Sequence, residues 1–104
     1  MRYLTNTFSP LMMGENVSAV VRPAEITDVP ADCQSAVSHK VTAGVLSALL
    51  GRDIPFNRVN LTLKSGDTVF CVIPDFRASE AREFTRAEVE GAGYRVFRVD
   101  IAEG

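Results

Sequence analysis

Residues 68–73 (Thr-Val-Phe-Cys-Val-Ile) restrict the fold of this chain more than any other stretch. They are apolar at successive positions, so a strand built from them is apolar on both faces and belongs in the centre of a sheet. Residues 2–8 alternate and contain Tyr, Leu, Thr and Phe, which reads as an opening strand ended by Ser9-Pro10. Leu11-Met12-Met13 is a short apolar turn before Gly14, and residues 17–22 form a second strand. Pro30 forbids a regular helix interior across residues 23–34, leaving a short helix or an irregular loop there.

Val41, Val45 and Leu49 recur every four residues, with Leu46 and Ala48 beside them and Gly51 as a stop. That period predicts an amphipathic helix from about His39 to Leu50, with Ser38 as its N-cap and His39 in its first turn. Residues 51–57 are a connection containing Pro55. Residues 58–64 alternate, with Val59, Leu61 and Leu63 on one face and Arg58, Asn60, Thr62 and Lys64 on the other. They read as a strand, and Ser65-Gly66-Asp67 as the hairpin turn into residues 68–73. Residues 74–84 are polar and irregular, a candidate mobile loop. Thr85-Arg86-Ala87-Glu88 is a capping box for a short helix that stops at Gly93, and residues 94–101 are the last strand. The order strand, strand, helix, strand, strand, helix, strand gives a small α/β (α+β) fold. A single domain over residues 1–104 is expected, with a mixed sheet of about five strands and helices packed on it.

A chain of 104 residues, 46% hydrophobic, supports one core and not two. Its net charge of −2 gives no bulk attraction to duplex nucleic acid or to an anionic membrane. The two cysteines, Cys33 and Cys71, lie far apart, and with one histidine they do not make a structural zinc site. Neither a signal peptide nor a membrane span is apparent. The expectation is a cytoplasmic protein with reduced thiols, no cofactor, no bound metal and no membrane partner.

Glycine-rich phosphate loops, nucleophile elbows and clustered carboxylates are absent, which removes support for hydride transfer, kinase-type transfer and two-metal hydrolysis. His39, several arginines and some carboxylates remain. They suit metal-free cleavage of RNA by its own ribose, in which the 2′-hydroxyl attacks the adjacent phosphorus. The protein then holds the ribose in line, neutralises phosphorane charge and protonates the leaving 5′-oxygen. Helix N–H groups and arginines suit the second task, and an imidazole suits the third. Each residue also has a plain structural reading. His39 reads as a surface residue at a helix start, Arg58 as a solvated edge charge, Arg77 with Glu80 as an exposed ion pair, and Asn6 with Ser9 as turn residues.

Five segments in order carry a resemblance. They are Tyr3-Leu4-Thr5-Asn6, the run from Ser35 to Ala43, Pro55-Phe56-Asn57-Arg58-Val59, Arg77-Ala78-Ser79-Glu80, and the run from Thr85 to Tyr94. Together they resemble the viral ring nucleases that act as type III anti-CRISPR proteins, and their CRISPR-associated cellular relatives. The resemblance implies a metal-independent homodimer that degrades cyclic tetra-adenylate, the second messenger of type III CRISPR defence. Linear di-adenylate with a 2′,3′-cyclic phosphate is the implied product. It also implies roles: His39 as general acid, Glu80 as a loop glutamate needed for activity, and Arg77, Arg58, Asn6 and Ser9 as substrate contacts; Ser38, next to the histidine, is added to these as a candidate substrate contact from its position. Residues 74–84 correspond to a loop that closes over the ring. Two departures stand out, Ser38 where a glycine often precedes the histidine, and Ala81-Arg82 where a glycine usually follows the glutamate. The alternatives are a binding protein of the same fold that sequesters cyclic oligoadenylate uncut, and a small nucleic-acid-binding regulator.

Overall fold

The computed structural model describes residues 1–75 and 84–104. Five strands form one mixed sheet: β1 (Arg2–Thr5), β2 (Val17–Pro23), β3 (Gln34–Ser35), β4 (Thr68–Pro74) and β5 (Tyr94–Glu103). Their order across the sheet is β2-β5-β4-β1-β3. β1 runs parallel to both β3 and β4, and β5 runs antiparallel to β4 and β2. Two helices, α1 (Lys40–Leu50) and α2 (Arg86–Ala92), pack on one face. This is the small α+β domain that the sequence predicts.

The central position of β4 follows from its composition. Val69 meets Val99 and Ile101 on one face; Phe70 and Val72 meet Leu4, Leu46 and Val89 on the other. Leu46, Val69, Val72 and Val89 are all fully buried. The face away from the helices is covered by Phe8, Met12, Met13, Leu61 and Leu63. Met12 belongs to a single 3-10 turn (Pro10–Met12), whose first free N–H, on Leu11, donates to the Ser9 hydroxyl at 3.2 Å.

Both helix ends carry local signals. α1 stops at Gly51, whose φ of 68° lies in the left-handed region that glycine adopts without a Cβ clash. α2 opens on the expected capping box. The Glu88 N–H donates to the Thr85 hydroxyl at 3.2 Å, and the Thr85 N–H donates to the Glu88 carboxylate at 3.2 Å.

Three expectations change. Residues 58–64 are not a strand, and only Leu63 forms an isolated bridge, to Met13. Both edges of β4 are already taken, by β1 and β5, so no place beside it remains for a hairpin partner. Ser65-Gly66-Asp67 is therefore a turn without a hairpin, closed by the Lys64 N–H donating to the Asp67 carboxylate at 2.9 Å. The fifth strand is instead β3, whose two residues straddle the end of the ambiguous 23–34 region, Gln34 within it and Ser35 just beyond. β1 ends at Thr5 and does not reach Phe8, because the Thr5 hydroxyl turns back to donate to the Thr7 carbonyl at 2.8 Å.

Candidate functional site at the carboxyl edge of the parallel strands

β1, β3 and β4 all end at one edge of the sheet. β1 lies between the other two, and α1 carries the chain from β3 on one side of it to β4 on the other. In open sheets with parallel strands, ligands settle outside the carboxyl ends at such a switch point. Asn6 follows β1 there, residues 36–39 follow β3, and Asp75 follows β4.

His39 is one residue earlier than expected relative to the helix. It is the N-cap of α1 itself, with extended φ and ψ of −122° and 127°, and Ser38 stands outside the helix. Ser38 is thus not the cap, which corrects the sequence reading. The imidazole makes no capping bond, and the first helical hydrogen bond runs from the Ala43 N–H to the His39 carbonyl at 2.9 Å. Among the described residues the N–H groups of Lys40, Val41 and Thr42 therefore open the helix without a side-chain acceptor. No acid occupies the first turn. Lys40, which the sequence reading passed over, puts a cation where the helix dipole already favours an anion.

A network of partly buried bonds ties this turn to the segment that leads into Arg58. Ser35 is 7% exposed; its hydroxyl donates to the Pro55 carbonyl at 2.6 Å and accepts from the Val37 N–H at 3.4 Å. Asn57 donates twice, from its backbone N–H to the Val37 carbonyl at 2.9 Å and from Nδ2 to the Ser35 carbonyl at 2.7 Å. On the helix side, the Ser47 hydroxyl accepts from the Ile54 N–H at 2.9 Å. Arg58 thus leaves a segment clamped against the residues that lead into His39. Both side chains are exposed. Among the described residues none of His39, Lys40 and Arg58 forms an ion pair, while Arg2, Arg22, Arg86, Arg95 and Arg98 each face a carboxylate.

The Asn6 side chain adds a polar atom at the end of β1, since its Oδ1 is buried and has no hydrogen-bond partner among the described residues. Ser9 is committed to the 3-10 turn by the Leu11 bond, so its structural role as a turn residue holds. Arg77, Glu80 and most of the 74–84 loop lie outside the described residues. Among those residues no three His, Cys, Asp or Glu side chains group as metal ligands, and no helix is long and apolar enough to cross a membrane. Two clefts, of about 460 and 250 Å³, lie away from His39. The first sits at the opposite edge, between Val17, Leu63 and Gly104; the second lies beneath the carboxyl end of α1, beside Arg52 and Arg86.

Cys33 and Cys71 are both free. Burial pushes the Cys71 thiol up, against a smaller opposing effect of the Thr5 side chain. Burial also raises Cys33, with Arg2 and Arg52 pulling it back and Asp32 adding to the rise.

Comparison with known proteins places these features in a lineage. The solved structure of B116 of Sulfolobus turreted icosahedral virus superposes with a TM-score of 0.80, over 95% of this chain and 97% of that one, at 19% identity. That likeness is one of fold. Over 68 residues, 64% of this chain, it is 32% identical to Uncharacterized protein 26 of Sulfolobus islandicus filamentous virus (isolate Iceland/Hveragerdi). The matched stretch spans 58% of that relative's length. Over 84% of the chain it is 29% identical to Uncharacterized protein ORF116 of Acidianus filamentous virus 1, covering 80% of that protein. The family model described as STIV B116-like matches residues 2–96, from the start of β1 into β5 and through every described residue of the candidate site, and the chain belongs to that family.

Proposed function

We propose that this protein is a metal-independent ring nuclease that cleaves cyclic tetra-adenylate and so silences the effectors of type III CRISPR defence. One observation carries the reading: exposed His39 and Lys40 stand at a helix start that has neither a side-chain cap nor an acid, Asn57 ties the segment that leads into Arg58 to Ser35 and Val37, and among the described residues neither Lys40 nor Arg58 forms an ion pair. Such an edge asks for an anion, and an imidazole beside it adds proton transfer. The ordered resemblance of five segments to the viral ring nucleases supplies the identity of that anion.

In this scheme the ligand's ribose 2′-oxygen forms a bond to the adjacent phosphorus and loses its proton to solvent water. The P–O5′ bond breaks, and His39 in its protonated form gives a proton to the departing oxygen. Arg58 and the N–H groups at the start of α1 hold the charge that builds on the phosphoryl oxygens. Asn6 offers a buried oxygen to the ribose side. Arg77 and Glu80 complete the site as the resemblance implies. Two subunits related by a two-fold axis present two such edges to a ring with four phosphates, so two opposite bonds are cut and linear di-adenylate results.

The test is incubation with cyclic tetra-adenylate in excess EDTA, followed by chromatography with mass detection. Di-adenylate bearing a cyclic phosphate is the expected product. Intact ring that co-elutes with the protein makes it a sponge, and intact ring that stays free removes cyclic oligoadenylate as the ligand.

A further inference from the structure

Seven of the eight aromatic residues are described, and six of them are buried or half-buried within the sheet and its cover. Phe56 alone is exposed, at 49%. The chain leaves this ring in solvent where the backbone on both sides is held fast. The carbonyl of Pro55 before it accepts from Ser35, and Asn57 after it donates to both Ser35 and Val37. Ile54, one residue further back, is buried at 6% exposure and donates its N–H to Ser47. An exposed aromatic on a clamped backbone, two residues before an arginine that has no ion pair among the described residues, matches what proteins use to hold single-stranded nucleotides. There a flat ring takes the base and a neighbouring cation takes the phosphate.

We infer that Phe56 is the stacking platform for an adenine base of the bound oligoadenylate. This deepens the function proposed above and rests on it. Phe56 sets affinity and the choice of a purine, while His39 does the chemistry. Because its backbone is already immobile, the ring loses little freedom when a base settles on it.

The test separates the two claims. Phe56→Ala is expected to raise KM for cyclic tetra-adenylate about ten-fold, equivalent to about 1.4 kcal/mol. The kcat at saturation stays within about three-fold. Phe56→Tyr keeps the wild-type KM, and Phe56→Leu behaves as the alanine variant does. The chain contains no tryptophan, so Phe56→Trp installs a single reporter. In a His39→Ala background its emission is expected to fall on addition of cyclic tetra-adenylate. A leucine variant with wild-type KM would reduce the contact to apolar burial and overturn the inference. So would loss of affinity that tracks dissociation of a dimer by light scattering, which would make Phe56 an interface residue. Wild-type protein that cleaves the ring, with an unchanged KM in Phe56→Ala, refutes stacking alone; wild-type protein that neither binds nor cleaves refutes the function and this inference together.

Discussion

Removing one hydroxyl, in Ser35→Ala, tests whether the clamp under the candidate site is energetic or incidental. The Ser35 hydroxyl serves two groups, the Pro55 carbonyl at 2.6 Å and the Val37 N–H at 3.4 Å. Their environments differ. Pro55 is exposed, so water takes over its carbonyl, and that loss is about 0.5–1 kcal/mol. Val37 is 0% exposed, and a buried N–H left without a partner costs about 1–3 kcal/mol. The bond to it is long, which puts its share near the lower bound. The sum is about 2 kcal/mol, or roughly a 30-fold fall in the ratio of folded to unfolded protein. For a domain of this size that lowers Tm by about 8–16 °C. Urea unfolding measures it directly, with an unchanged slope showing that the folded state keeps its compactness. Ser18→Ala is the control, since its hydroxyl reaches Glu103 at 3.4 Å on the exposed edge and its loss is worth under about 0.5 kcal/mol. The same Ser35 variant, below its transition, is expected to lose about ten-fold or more in kcat on cyclic tetra-adenylate, because His39 is four residues beyond the broken contact. A stability change below about 0.5 kcal/mol would refute the energetic reasoning. A full stability loss with wild-type kcat would detach the clamp from the site.

Three further outcomes are expected. His39→Ala retains binding of cyclic tetra-adenylate by calorimetry and loses roughly two or more orders of magnitude in cleavage rate; an unchanged rate removes His39 from the reaction. Leu46→Ala opens a cavity where α1 meets the sheet and destabilises the fold by about 2–5 kcal/mol in urea, and a loss under about 1 kcal/mol would mean that this interface collapses to fill the space. Alkali destabilises the protein through its buried thiols. Burial raises the Cys71 thiol above its unfolded value, so its contribution is whole below the ordinary thiol range of about 8.5 and is lost as pH rises through the folded value. The urea midpoint of the wild type is therefore expected to fall more steeply between about pH 8 and pH 10 than that of Cys71→Val, and parallel curves would contradict the assignment.

What the sequence made legible was local. The stop at Gly51, the Thr85–Glu88 capping box and the two-faced apolar run at 68–73 each arise from contacts within a few residues, or from burial on both faces of one strand. The misread elements depended on distant partners. Alternation in residues 58–64 holds only from Leu61 to Lys64, with Leu63 buried, Lys64 exposed and Val59 in solvent, and β1 and β5 had already occupied β4. β3 is too short for any period to register, and it exists because Tyr3 and Leu4 pair with Gln34 and Ser35. At the site, His39 and Arg58 were visible as chemistry. Asn57 and Ser35 were not, since what they do is join segments 20 and 22 residues apart. Lys40 had no reading in the sequence and came into view only when the helix start was placed one residue later.

The strand order also dictates a timetable for synthesis. Among the described residues β2 pairs only with β5, so residue 17 finds its partner at residue 103. β1 gains its short neighbour β3 early but waits for residues 68–71 on its other side. Until β5 has been made, Val20 and Val21 stand on a strand without its partner, and β4 lacks the neighbour that closes its second edge. Native pairing of the sheet is therefore completed only once residues 94–103 are in place, by closing contacts between segments far apart in sequence, which is the slow class of folding step. A nascent chain stalled before residue 94 would hold both helices and most of the core sequence yet expose two open strand edges, the state from which aggregation starts.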